Sequence, residues 1–403
     1  MALPPALGNY ASGDRFWDRE REVADIAGYL ARGESVLVTG PRRVGKTSVV
    51  RRVLTNLAAS RLTLFVDVEQ YAEPGELFAA LGAEASRDAA AWEHVRRWFG
   101  KRLNISKADI EVRGVKVELQ AAIARSWRDD GRAIVEALAQ RDRATVVAID
   151  ELPLLVDRLL KRDPAEAGLL MGLLRAMVDG VPGVRWLVSG SIGLEAVLHR
   201  AGLTGMITNL RAYPVDAWDE ATTAGAAEAL ARSTDLALAE GAADAVHDCL
   251  GLGVPYHVQL LMDELRRDAD RRKSRAVTAD DVRRVYGGPF LQSAVRAHML
   301  HLETRLARVL DGDSLRLAFD LLTQAAVADL ATPAQAALLA DHLVEDAERR
   351  ATVLREVVEI LEHDAYLARD ADGWRFRSRV VRDWWKQGNE MGFVPPEDRP
   401  SRP

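Results

Sequence analysis

The stretch Ser35–Arg52, SVLVTGPRRVGKTSVVRR, limits what this chain can fold into more than any other. Apolar and β-branched residues run into Gly40. The turn that follows carries Arg42 and Arg43 and ends in Gly45-Lys46-Thr47. Val49, Val50, Val53 and Leu54 then recur at helical spacing. A strand, a G-x-x-x-x-G-K-[ST] turn and a helix, in that order, make a loop that holds a phosphate. Glycines let backbone amides curl around the anion, and the helix N-terminus adds partial positive charge. Gly40, Pro41, Arg42, Arg43, Val44, Gly45, Lys46, Thr47 and Ser48 are therefore the candidate nucleotide contacts. Lys46 is placed to bridge β- and γ-phosphates, and Thr47 to put its hydroxyl on Mg²⁺.

Such a site needs a second half to hold the metal and orient water. VVAIDE supplies it: four apolar residues end in Asp150 and Glu151, at the carboxyl end of a buried strand, where ligands bind in α/β sheets. Asp150 is the candidate for the Mg²⁺ shell and Glu151 for polarising the attacking water. Taken alone, the same pair also reads as an acidic cap of the next helix. Ser189, at the end of WLVSGS, reads either as a group reaching the γ-phosphate or the water, or as a turn or helix cap; Ser191 follows it.

Around these motifs, strands at 35–40, 62–70, 144–151 and 183–191 alternate with helices, which predicts a parallel sheet covered on both faces. LNISKADIEVRGVKVELQ alternates polar and apolar residues about Arg113-Gly114, and predicts a hairpin inserted near 103–120. From Asp216 to about Arg308 the chain is Ala-rich and helical. Three helical patterns and a hairpin then describe a winged helix. At 403 residues, two or three domains are expected. The net charge of −6 means that any basic surface is local. A single cysteine, Cys249, excludes an internal disulfide framework and fits a cytoplasmic location. No apolar run is long enough for a membrane span, and the N-terminus lacks the pattern of a signal peptide.

FWDREREVADI, GPRRVGKTS, FVDVE, AIDELP, LVSGSIG, GLGVPYHVQLL and YLARDADGWRFRSRVVRDWW, in this order, resemble the archaeal-type ATPases of the STAND class of AAA+-related P-loop NTPases. The resemblance covers Phe16 to Trp385. It implies ATP with Mg²⁺, a helical lid after the core, and self-association linked to nucleotide state. It also implies that Phe16 and Arg19 lie near the adenine, and that Gly253-Val254-Pro255 is a lid turn approaching the nucleotide. Phe16 also reads as a staple packing the first helix, and the Gly-Pro turn as a simple helix break. Arg200 and Arg211 are candidates for an arginine finger acting on a neighbour, or solvated surface charges.

The expected architecture is α/β: a P-loop NTPase core with a parallel sheet (1–215), a helical lid (216–308), a C-terminal winged helix (309–390) and a disordered tail (391–403). The expected function is slow, Mg²⁺-dependent ATP hydrolysis used as a nucleotide-gated switch, with self-association or a protein partner as output. The alternatives are a DNA-associated initiator or transposition-type ATPase, and an adaptor that binds nucleotide without hydrolysing it. In the wing, Arg375, Arg377 and Arg379 share one strand face and form a basic comb that can meet phosphates. The preceding helix ends in Glu356, Glu359, Glu362 and Asp364, which repel a phosphate backbone. That pattern places protein or intramolecular contact above DNA.

Overall fold

The computed structural model describes residues 3–7, 10–99, 123, 126–141, 143–190, 193–310 and 312–399. The hairpin expected near 103–120 lies outside the described residues, as does Ser191. The chain forms two compact units, Tyr10–Asp216 and Ala217–Pro403, the latter joined by Met1–Asn9.

In the first unit, the strands β1 (Ser35–Thr39), β2 (Leu62–Asp67), β3 (Thr145–Asp150), β4 (Val184–Ser189) and β5 (Leu210–Pro214) form a parallel sheet in the order β2-β3-β4-β1-β5. Alternate side chains divide it into two apolar faces. Val36, Val38, Val146, Ala148 and Leu187 pack on one side with Val23, Ile26 and Leu30 of the helix Glu20–Ala31 and with Val49, Val50 and Val53 of the helix Lys46–Leu57. Leu37, Val147, Ile149, Trp186 and Val188 pack on the other, against the helices Pro74–Ala85, Trp127–Ala139, Leu152–Arg162 and Pro164–Gly180. Burial on both faces is why these strands read as continuous apolar runs. The sequence reading misses β5. LRAYP is short, lies at the edge and is largely exposed, so it lacks the signal of a buried strand.

In the second unit, the helices Glu220–Ser233, Ala242–Leu250, Pro255–Arg272 and Ala279–Val285 pack with a two-residue parallel pair, Ala237–Leu238 and Ala276–Val277. An irregular turn at Tyr286–Ala294 and the helix Arg296–Val309 lead to a winged helix. It comprises the helices Gly312–Val327, Pro333–Leu343 and Ala347–His363, the hairpin Leu367–Arg369 with Trp374–Phe376, and the closing helix Arg379–Asn389. Gly373 turns the hairpin at φ +155°; a Cβ there would stand 2.3 Å from the Ala331 carbonyl, so no larger residue fits. Trp374 and Trp385 are buried in the winged-helix core, with Phe376 and Trp384 packed against it.

The helices before the winged helix and the winged helix itself are bonded together within this unit. Arg379 donates to the Asp248 carbonyl at 2.8 Å, and the Tyr286 hydroxyl donates to Asp383 at 2.8 Å. Residues 395–399 depart from the disorder expected for PPEDRPSRP; the rest of that stretch lies outside the described residues. Pro396 is buried, and Arg399 pairs with Asp320 at 2.5 Å. The amino-terminal residues also depart from the expected core: the Leu3 amide donates to the Ala229 carbonyl at 3.0 Å and the Ala6 amide to Gln259 at 2.6 Å.

Candidate active site

The carboxyl ends of β1, β3 and β4 meet at one point of the sheet. β1 delivers Gly40, whose φ of +134° and 2.2 Å approach of a would-be Cβ to the Val215 carbonyl require glycine. The loop returns through Val44, buried in the core, to Gly45 at φ +95°, which starts the helix Lys46–Leu57. Lys46 is only 7% exposed. Its ammonium donates to the carbonyls of Gly40 at 2.8 Å and Pro41 at 2.7 Å. Burial pulls its pKa down to about 8, while the carboxylates of Glu151 and Asp150 act to hold it up.

Asp150, at the end of β3, is 4% exposed. One of its oxygens accepts the Thr47 hydroxyl at 2.6 Å, and the other accepts the fully buried Ser189 hydroxyl at 2.5 Å. Ser189 is the last residue of β4, the strand between β3 and β1, so sheet order alone brings it there. Glu151 follows in the left-handed region, at φ +62°, as the N-cap of the next helix. A non-glycine residue in that conformation costs on the order of 1–3 kcal/mol and marks a site over-determined by its surroundings. Lys46, Thr47, Asp150, Glu151 and Ser189 are thus one cluster. Two hydroxyls and a carboxylate are hard oxygen donors, the chemistry that suits a magnesium ion.

Other candidates fall elsewhere. Arg19 is buried and braces the phosphate loop: its guanidinium donates to the carbonyls of Val44 at 3.4 Å and Asp216 at 2.6 Å, and it pairs with Glu22. The Phe16 ring lies 5.0 Å from the Arg52 guanidinium. Ser48 accepts the Ala11 amide at 2.9 Å. Pro255 opens the helix Pro255–Arg272 in the second unit. Arg211 sits at the amino end of the sheet, beside Val36, and pairs with Glu34 at 2.9 Å. Arg200 closes the helix Leu194–Arg200; its side chain lies outside the described residues. Sequence reasoning missed Tyr10, Ala11 and Arg51, which line the outer face of the phosphate-loop helix; no periodicity or motif signals them.

The basic comb meets acids of its own unit. Arg375 pairs with Asp370 at 2.5 Å and donates to the Asp329 carbonyl. Arg379 donates to the Asp248 backbone carbonyl and lies 3.8 Å from the Asp383 carboxylate; Arg382, beside the comb, pairs with Asp329 at 2.7 Å and Asp383 at 2.6 Å. Arg377 is exposed.

Residues 15–182 match the family model of the AAA ATPase domain. This segment is an AAA ATPase domain. Two solved structures similar over nearly the whole chain are archaeal. The Walker-type ATPase of Pyrococcus abyssi is 21% identical, with 94% of this chain and 99% of that chain covered and a TM-score of 0.63. The ORC2 protein of Aeropyrum pernix, in ADPNP–ADP complexes, is 14% identical, with 97% of each chain covered and a TM-score of 0.56. No curated protein matches the chain. At these identities the likeness is one of fold: a P-loop α/β core followed by helices and a winged-helix region. The AAA ATPase domain contains both phosphate-site motifs, Gly40–Thr47 and Asp150-Glu151, and is an ATP-binding domain. Among the described residues, no helix is long and apolar enough to cross a membrane.

Proposed function

We propose that the chain binds ATP with Mg²⁺, hydrolyses it slowly, and uses the difference between nucleotide states as a conformational or assembly switch of the STAND type. The observation that carries this reading is Asp150, buried between the hydroxyls of Thr47 and Ser189 with Lys46 beside it. Thr47 and Asp150 are the residues that would hold the metal, which when bound neutralises charge on the β- and γ-phosphates. The loop amides and Lys46 grip the triphosphate. Lys46 exchanges its two loop carbonyls for phosphate oxygens, so the ammonium is held in place before the substrate arrives. Glu151 takes the proton of the attacking water as the γ-phosphoryl group leaves ADP. Ser189 holds Asp150 in register.

Slow turnover fits the position of Arg211, at the far end of the sheet and bound to Glu34. A positioned arginine is worth about 10³–10⁵ in rate in related chemistry. The switch reading is supported by the second unit, where Arg379 and Tyr286 tie lid to winged helix so that the two move together. The ion pairs of the comb favour an intramolecular or protein-facing role for the wing over duplex DNA.

Phosphate release by wild type against Glu151→Gln tests the enzyme reading. A loss of about 10²–10⁴ is expected with nucleotide binding retained; equal rates remove hydrolysis from the account. Light scattering with and without ATP tests assembly, and an unchanged mass counts against it.

A further inference from the structure

The helix Lys46–Leu57 has two opposite faces. Val49, Val50, Val53 and Leu54 enter the core. Ser48, Arg51 and Arg52, at i, i+3 and i+4, form a face on the other side. The segment Tyr10–Arg19 runs over this second face. The Ala11 amide donates to Ser48 Oγ at 2.9 Å. The Arg51 guanidinium is sandwiched, 4.1 Å from the Tyr10 ring centre and 3.8 Å from that of Phe65 on β2. Arg52 holds Phe16, and a short 3₁₀ turn at Gly13–Arg15 carries the chain between these contacts. Arg19 then reaches the Val44 carbonyl within the phosphate loop itself.

We infer that Tyr10 is a positioning residue for nucleotide binding. With Ser48 and Arg51 it clasps the outer face of the phosphate-loop helix and fixes the first turn, where Lys46 and Thr47 sit. The inference rests on the proposed site and adds a residue outside every motif in it. Ser48 is one residue from Thr47, so its bond to Ala11 and the Thr47 bond to Asp150 restrain the same helical turn from two sides. Tyr10 is 46% exposed, so its ring contributes little to the core and its removal leaves the fold in place. The guanidinium over its face is the cation–π geometry that stabilises such a contact. Coupling is reciprocal: if the docked clasp favours nucleotide, nucleotide favours the docked clasp.

The test measures binding of fluorescent ADP with Mg²⁺ to the full chain. Tyr10→Ala is expected to weaken binding about 5- to 20-fold with an unchanged melting temperature, and Tyr10→Phe, which keeps the ring, to bind as wild type. Trypsin cleavage after the exposed Arg15 is expected to slow several-fold when Mg·ADP is added to wild type, and not when it is added to Tyr10→Ala. The clasp is overturned if Tyr10→Ala binds within twofold of wild type, if Tyr10→Phe is as weak as Tyr10→Ala, or if nucleotide leaves cleavage at Arg15 unchanged. Lys46→Ala separates the two ideas. If it abolishes binding while Tyr10→Ala does not, only the clasp fails; if it leaves binding intact, the site reading fails and the clasp with it.

Discussion

Asp150 in the first unit and Asp268 in the second are both buried aspartates, 4% and 5% exposed, with opposite surroundings. Asp150 receives two neutral hydroxyls, from Thr47 and Ser189. Asp268 receives guanidinium groups: Arg284 at 2.6 Å and Arg272 at 2.7 Å, with Arg271 at 3.6 Å. Hydrogen bonds from Arg284, then Arg272, hold the Asp268 carboxyl well below the usual carboxylate range. Hydroxyls orient a carboxylate without neutralising it, and so leave its charge available to a cation. Arginines neutralise it and make it part of the scaffold. Burial of an acid thus does not by itself mark a site; the charge of its partners does.

The comparison breaks first at binding. Asp150→Asn is expected to lower Mg²⁺-dependent nucleotide affinity about 100-fold or more, and chelation of Mg²⁺ to weaken binding to wild type but not to the variant, by titration calorimetry. Asp268→Asn is expected to leave that affinity within about twofold and instead to lower stability by about 2 kcal/mol. That is less than a fully buried pair is worth, because its arginines are half-exposed. Thermal melting of the two variants checks the contrast, and it fails if both lose binding or both lose stability. Because the folded pKa of Asp268 is depressed, its stabilisation is present above about pH 4 and is lost as pH falls further. Melting of Asp268→Asn should show a smaller acid loss than that of wild type, because the other carboxylates held low in the fold, Asp281 and Asp88 among them, still contribute theirs.

At the alkaline end Lys46 sharpens the same contrast. Its pKa of about 8 in the ligand-free chain means that above pH 8 the lysine must take up a proton to meet phosphate. Affinity should be flat from pH 6.5 to 7.5 and about tenfold weaker per unit above 8, with proton uptake visible in buffers of different ionisation heat. The smallest effect belongs to the wing. Arg375→Ala removes an exposed ion pair and should cost under about 1 kcal/mol; Arg382→Ala, whose side chain is half-buried, should cost about 1 kcal/mol. They should change duplex DNA binding at physiological salt by less than twofold; a steep, salt-dependent loss would restore the initiator reading.

The phosphate loop, the strand ending in Asp150-Glu151 and the winged helix are legible in the sequence because each rests on local spacing or periodicity. The order of the strands is not, and it is this order that brings Ser189 to Asp150. The comb's partners are only partly local: Asp370 lies five residues before Arg375, but the Asp329 carbonyl that Arg375 also meets lies 46 residues before it, and no spacing signals that contact. The tail looked disordered because its composition is that of a linker, whereas its anchor is one ion pair to Asp320, 79 residues away. Tyr10 escaped notice because stacking on an arginine leaves no period and no motif.

Residues 3–7 bond into the second unit and Tyr10 belongs to the first, so the chain passes between the units near its start as well as after Asp216. Spin labels at the exposed Pro5 and Ser12, seven residues apart, would therefore sit on different units while their Cα atoms never separate by more than about 25 Å. A heptapeptide of this chain is in effect a molecular ruler, readable by pulsed magnetic resonance.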